Sequence, residues 1–298
     1  MTRPWTVLGV PIDSVGAPDG GPPVGTERSP QVLRALGLVD GLGAQDAGDV
    51  ATRITGPDRD PATSLVGGRS VAAATAAVRA ATTTLLTAGA RPLLVGGCCA
   101  LLPGALAAAR DVHGAVGLAH VDGHLDLYDH VTSPTGEAAD MPVAWALGVG
   151  EPGLLAATAP TPILAAGAVQ VLGARDPDES AQVGALAARL RVRNVASADI
   201  ARDPRGVGEL TARTVAAPGA YWLHLDVDVL DETEFPATDY LMPGGLLLDE
   251  LRELLRPLAR DPRLVGFSLG CFNPAKDLDG RCGVALRDLL VDVLGPTP

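Results

Sequence analysis

Three side chains able to bind a cation stand at alternate positions in Asp122-Gly123-His124-Leu125-Asp126, directly after an apolar run over 115–121. A strand alternates its side chains between faces, so this spacing puts Asp122, His124 and Asp126 on one side of the emerging chain. Further along, in Tyr221-Trp222-Leu223-His224-Leu225-Asp226-Val227-Asp228, a second apolar strand ends in two carboxylates at the same i, i+2 spacing. A single aspartate after a strand is ordinary turn chemistry. Two matched clusters of carboxylates with an imidazole suit hard or borderline divalent cations held mainly by oxygen. A pair of such cations acidifies a shared water and neutralises charge developing around an attacked carbon.

Strands must deliver these groups, and the chain alternates strand and helix signals along its length. Residues 6–12 read as a first strand, opening into a Gly/Pro loop at 16–25 that lacks the following helix a dinucleotide fingerprint needs. Ser29-Pro30 predicts a helix start with Ser29 as cap and proline in the first turn. The polar, Pro-rich stretch 50–66 reads as a surface connection, and 70–88 as a long Ala/Val/Leu helix. Residues 92–95 form a short strand ending in Gly96-Gly97-Cys98-Cys99, with a helix over 101–110. After the first acidic cluster come a loop at 127–139 and a helix near 142–147. A strand over 169–172 then runs into Arg175-Asp176-Pro177-Asp178-Glu179. A helix over 181–191 and a strand over 194–197 follow. Beyond the second cluster lie a helix over 246–259, a strand over 264–269 ending in Gly270-Cys271-Phe272-Asn273-Pro274, and a helix over 284–294.

This alternation predicts a single three-layer α/β/α domain over 1–298 with a mainly parallel central sheet. Each polar or thiol cluster follows a strand: Cys98 and Cys99, Asp122 to Asp126, Arg175 to Glu179, Asp226 and Asp228, and Cys271. Ligands of open parallel sheets bind beyond the carboxyl ends of the strands. One site at one sheet edge, fed by at least five strands, is therefore expected.

Bulk properties narrow the partners. The 298 residues suit one large α/β domain, and the formal charge of -12 argues against nucleic acid or an anionic membrane surface while remaining compatible with a cationic small molecule. The four cysteines (Cys98, Cys99, Cys271, Cys282) form no disulfide framework, which points to a reducing cytoplasm. Met1-Thr2-Arg3-Pro4-Trp5 carries no signal-peptide pattern, and no apolar run approaches the ~18 residues of a membrane span.

The two acidic motifs, in this order, resemble those of the ureohydrolase superfamily (arginase, agmatinase, formiminoglutamase). Asp122-Gly123-His124-Leu125-Asp126 is similar to the family's Asp-Ala-His-x-Asp, and Asp226-Val227-Asp228-Val229-Leu230-Asp231 to its Asp-x-Asp-x-x-Asp. Gly9-Val10-Pro11 with the Gly-rich loop, Pro236-Ala237-Thr238 and Pro243-Gly244-Gly245 extend the likeness over nearly the whole chain. The resemblance implies an arginase-like fold and a homo-oligomer, trimer or hexamer. It also implies a pair of divalent ions, Mn above all, that serve hydrolysis of a guanidino or formimino C–N bond. Carried over, Asp122 and Asp226 bridge the ions, His124 and Asp228 complete one site, and Asp126 and position 99 complete the other.

Position 99 departs from the family: Gly96-Gly97-Cys98-Cys99 stands for its Gly-Gly-Asp-His. As a ligand, a Cys99 thiolate would shift preference toward Fe or Zn; Cys99 also reads as a buried thiol filling a gap. Cys271 replaces the family's carboxylate that grips the guanidinium. The family's proton-transfer histidine falls near Ala139, leaving Asp126, His130 and Asp239 beside Cys271 as candidate catalytic groups. Arg175, Asp178, Glu179 and Tyr240 are candidate substrate contacts, each with a plain surface reading as well. The replaced ligand resembles the hydroxyarginine amidinohydrolases. The resulting expectation is a hydrolase of a modified guanidine such as N-hydroxyarginine; the alternative is a catalytically silent homologue acting as a subunit or regulator.

Overall fold

In a computed structural model, residues 4–14 and 25–295 are described. The strands are β1 (Trp5–Val10), β2 (Gln45–Asp49), β3 (Arg91–Gly96), β4 (Val116–Val121), β5 (Val169–Leu172), β6 (Arg193–Val195), β7 (Ala220–Asp226) and β8 (Leu264–Gly270). They form one sheet in the order β2-β1-β3-β8-β7-β4-β5-β6, and every pairing is parallel. The expected mainly parallel sheet is thus parallel throughout. The helices are α1 (Ser29–Ala35), α2 (Leu38–Leu42), α3 (Arg69–Thr87), α4 (Leu102–His113), α5 (Pro142–Ala146), α6 (Pro152–Ala157), α7 (Pro177–Leu190), α8 (Ser197–Ile200), α9 (Pro204–Val215), α10 (Leu248–Arg260) and α11 (Arg281–Leu294).

The layers follow from strand alternation. In β7, Trp222 packs into a core with α3, α4 and α5, while Tyr221, Leu223 and Leu225 pack into a second core with α9, α10 and α11. β4 divides in the same way, with Leu118 on the first face and Ala119 and Val121 on the second. Strands covered on both sides are buried along their whole length, as in Val116–Val121, where His120 is the one polar side chain. α10 shows how a helix covers a face: Leu251, Leu254, Leu255 and Leu258 fall at i, i+3, i+4 and i+7 and are fully buried. No helix among the described residues is long and apolar enough to cross a membrane.

Several local expectations are corrected. Ser29 does not cap α1, because a 3₁₀ turn over Thr26–Arg28 has already curled the chain; the cap is Arg28, and Ser29 Oγ is buried without a partner. The helix expected over 181–191 starts at Pro177, where the Asp176 side chain accepts from the Asp178 and Glu179 N–H groups. α6 and α9 were not expected from the sequence, nor was β2, an exposed edge strand of polar composition. β2 is held by its pairing to β1 and by Arg34, which contacts Asp46 at 3.0 Å and Asp49 at 2.5 Å. The Gly/Pro loop at 16–25 lies outside the described residues except for Gly25.

Candidate metal centre

β4 and β7 are neighbours, with His120 opposite His224 and Val121 opposite Leu225. The residues that leave the two strands, Asp122 and Asp226, therefore emerge side by side. Backbone N–H groups fix one oxygen of each carboxylate. His124 N–H donates to Asp122 Oδ1 at 2.7 Å, Gly123 N–H to Asp228 Oδ1 at 2.9 Å, and Asp228 N–H to Asp226 Oδ1 at 2.8 Å. The other oxygen of each is thereby turned toward a common centre. Space at Gly123 is tight: a Cβ there would lie 2.8 Å from Arg175 Nη1, Asp228 Oδ1 and Met242 Cε, so those side chains would have to shift. Asp126 sits at φ 54°, a left-handed turn that aspartate tolerates better than most residues.

The centre has two sides. On one, His124 Nδ1 lies 3.0 Å from Asp228 Oδ2 and 3.6 Å from Asp122 Oδ1. On the other, Cys99 Sγ donates to Asp226 Oδ2 at 2.8 Å and stands 3.1 Å from His224 Nε2 and 3.5 Å from Cys271 Sγ. Among the described residues, four groups of side chains offer ligand atoms within 4.8 Å of one another: Asp122/His124/Asp228, His120/Asp122/Asp126, Cys99/Asp122/His224 and Cys99/Asp226/Cys271. Cys99 and Asp126, expected to serve one ion, do not share a group.

The donor set fits divalent cations. Asp122 Oδ2, Asp126 Oδ2 and both His120 ring nitrogens are buried without hydrogen-bond partners. Orphaned buried carboxylate oxygens cost ~1–3 kcal/mol or more, and a bound cation removes that penalty. Cys271 is held at φ 64°, where a non-glycine residue is strained, as is common at functional sites.

Electrostatics agree with a site that concentrates negative charge. Burial opposes the charged His124 imidazolium, yet Asp228 and Asp122 hold its pKa far above the usual range. His120 is likewise disfavoured as a cation by burial, but Asp122 and Asp126 push its pKa up to about 10. His224 is lowered to about 3 by burial and by His120 beside it. Burial and neighbouring carboxylates hold Asp126 and Asp226 well above the ordinary carboxyl range, and burial holds the Cys99 thiol well above its own.

The remaining sequence candidates lie around this centre. Arg175 is tied to main-chain carbonyls, its Nη2 donating to Asp228 O, Leu230 O and Met242 O at 2.8, 3.1 and 3.0 Å, so it braces the loop after β7. Glu179 is buried and accepts from the Leu125 and Leu127 N–H groups at 2.6 and 3.1 Å, bracing the loop that carries Asp126; burial raises its pKa to about 7. Asp178 is exposed. Tyr240 donates to Glu137 Oε2 at 2.9 Å and sets its ring edge-on to His124, with centroids 6.0 Å apart. Asp239 accepts from Asn273 and pairs with Lys276, both at 2.8 Å. His130 is partly exposed, its carbonyl accepting from Arg59, and it belongs to none of the ligand groups.

Sequence reasoning passed over His120, His224 and Glu137. The first two carried a usable signal. The period-2 rule applied downstream to His124 and Asp126 also runs upstream, and His120-x-Asp122 and His224-x-Asp226 place both imidazoles on the ligand face. Their rings stack at 5.2 Å. Ser268, opposite His224 in β8, accepts from Trp222 Nε1 at 2.9 Å and lies 2.7 Å from His224 Nδ1.

A family model described as the arginase family matches residues 3–295. Arginase-1 of Rattus norvegicus is 26% identical over 279 residues, spanning 89% of this chain and 85% of that protein. N(omega)-hydroxy-L-arginine amidinohydrolase of Streptomyces lavendulae is 29% identical over 191 residues, 63% of this chain and 62% of the relative. The solved arginase of Bacillus caldovelox superposes over 99% of both chains with a TM-score of 0.88 at 23% identity. With the family model matching residues 3–295 and the arginase fold reproduced over 99% of both chains, the chain belongs to the arginase family.

Proposed function

We propose that this chain hydrolyses a C–N bond of a modified guanidine, of which an N-hydroxyguanidine is an example, and turns over plain L-arginine poorly. Arginase-family enzymes act on guanidino and amidino compounds with a pair of metal ions, typically Mn. Here Asp122, His124 and Asp228 would hold one ion; toward the other, Cys99 offers its thiol beside Asp226 and Asp122, and Asp126 offers its carboxylate beside Asp122. Two neighbouring free thiols at such a site suit a reducing compartment.

The observation that carries the substrate reading is Cys271. Its thiol lies 3.5 Å from Cys99 Sγ, so the end of β8 presents sulfur to an incoming guanidinium. Losing a charge-assisted hydrogen-bonded partner removes ~1.5–3 kcal/mol, roughly one to two orders of magnitude in rate. The loop at 137–140 supplies Glu137, Ala139 and Asp140 and no imidazole for the departing nitrogen. A substrate whose leaving nitrogen is less basic needs less protonation as the C–N bond breaks, which N-hydroxylated and acylated guanidines satisfy. Asp126, a buried carboxylate beside Asp122, is assigned to proton transfer. Asp176 Oδ2 lies 4.0 Å from His124 Nε2, and Glu137 holds Tyr240 edge-on to His124, so carboxylates near His124 favour a cation.

Urea- or amine-release assays with added Mn²⁺ across L-arginine, agmatine and N-hydroxyarginine test this reading. Turnover of N-hydroxyarginine with little on L-arginine is expected. Arginine turnover within tenfold of an ordinary arginase overturns the substrate assignment. Silence on every compound from protein that retains no metal identifies a catalytically silent homologue instead.

A further inference from the structure

Within the site that the proposed function invokes, and resting on that reading, we infer that His120 is a metal ligand. In this assignment His120 supplies the imidazole for the ion held by Asp122 and Asp126, with Nε2 as the donor atom.

The geometry is specific. His120 Nε2 lies 3.0 Å from Asp122 Oδ2 and 3.1 Å from Asp126 Oδ2. These are ion-pair distances, yet none of the three buried atoms makes a hydrogen bond of good geometry to anything. The residues are 0%, 1% and 4% exposed, so bulk solvent does not reach them. Three polar atoms aimed at one another and satisfied by nothing else are the arrangement a cation between them resolves. The spacing agrees. Adjacent ligands of an octahedral ion with bonds of ~2.1 Å stand ~3.0 Å apart.

Strand register explains the placement. His120 and Asp122 are two residues apart on one strand, hence on one side, and Asp126 returns to them through its left-handed turn at φ 54°. Glu179 fixes that turn from behind through Leu125 and Leu127. His224 plays a different part. Trp222 donates to Ser268 Oγ, and a tryptophan indole only donates, so the Ser268 hydrogen is free to point at His224 Nδ1. His224 Nε2 then carries its hydrogen toward Cys99 Sγ at 3.1 Å, which makes His224 a positioning residue for the thiol. His120 Nδ1 has no such partner, and its Nε2 faces the two carboxylates alone.

The test counts ions and imidazoles on Mn²⁺-loaded protein. Equilibrium dialysis of wild type and His120→Gln, with circular dichroism confirming that the variant folds, is expected to show the variant holding one tightly bound ion fewer. Its affinity for that ion is expected to fall ~100-fold or more, and His224→Gln is expected to retain both ions. Retention of both ions with unchanged affinity in folded His120→Gln overturns the inference. Loss of both ions also overturns it, because the Asp122/His124/Asp228 group does not contain His120. Should the variant fail to fold, X-ray absorption on Mn-loaded wild type decides alone: imidazole scattering of about one ring per ion supports His120 and His124 as ligands, and about half a ring per ion leaves His124 only. Wild-type protein that binds no Mn²⁺ would instead remove the hydrolase reading on which the inference stands.

Discussion

The two sides of the Asp122 carboxylate are built from different chemistry. Toward His124 and Asp228 the donors are imidazole and carboxylate, and Gly123 N–H fixes Asp228 in place. Toward Asp226 the donors include two thiols: Cys99 donates to the carboxylate and stands 3.5 Å from Cys271 Sγ. On the resemblance, the first side would keep the ligand types of the family motif, and the second would carry sulfur in place of a ligand histidine at 99 and a substrate-gripping carboxylate at 271. The exchange required little of the fold, because Cys99 and Cys271 sit where chain turns bring β3 and β8 together, with Cys271 N–H donating to Gly97 O. A parallel sheet thus lets one half of a site change its chemistry while the other half is preserved.

The largest effect is expected where the two sides meet. Asp122 belongs to three of the four ligand groups. Asp122→Ala should therefore empty both sides and lower any turnover by ~10³-fold or more, since each ion contributes several kcal/mol of charge stabilisation. His124→Ala should lose metal mainly from its own side. Equal metal loss in the two variants, read by elemental analysis, would erase the distinction between the sides.

Cys271→Glu comes next in size. Restoring a carboxylate at the end of β8 should raise L-arginine hydrolysis by ~10- to 100-fold, measured as urea release. No gain, with both ions bound, would move substrate discrimination away from this position. Cys99→His should then sharpen the contrast in metal choice by removing the soft donor: competition between Mn²⁺ and Zn²⁺ should shift toward Mn²⁺ by about tenfold. An unchanged ratio would return Cys99 to a space-filling thiol.

The last effect is on stability alone and leaves the ions untouched. Burial raises Asp140 from 3.8 to about 6 despite hydrogen bonds from Ser133 and Thr135. A carboxyl raised on folding favours the folded state fully below pH ~4, and that contribution is lost as pH rises through ~6. Asp140→Asn should therefore gain on wild type between those pH values, by no more than ~3 kcal/mol at neutral pH. Urea melts at several pH values measure it, and a constant difference between the two proteins across that range would contradict it.

The architecture was legible because strands buried on both faces are mostly apolar and the ligand motifs end them. The convergence of five strand ends on one edge was legible for the same reason. Three helix starts were missed or misplaced although each carries a signal: Glu151-Pro152, Asp176-Pro177 and Asp203-Pro204 each pair an acidic cap with proline at the first helical position, and each cap accepts a backbone hydrogen bond. β2 offered no such signal. Gln45–Asp49 has poor strand composition and exists through pairing with β1 and the Arg34 contacts, which only the folded chain contains. In the site, Asp122, His124, Asp226 and Asp228 were legible from spacing. The bracing roles of Arg175 and Glu179 were not, because their partners are main-chain atoms of distant loops. His120 and His224 were hidden by the apolar runs around them, which invite a core reading of any lone histidine.

Elemental analysis of protein purified without chelator tests the central claim, that Asp122 joins two cation sites of unlike chemistry, most directly. The account predicts two ions per chain, with thiophilic Zn or Fe represented on the sulfur side and Mn on the other. Protein that is folded and free of metal, and that takes up none when Mn²⁺ and Zn²⁺ are supplied, would contradict it.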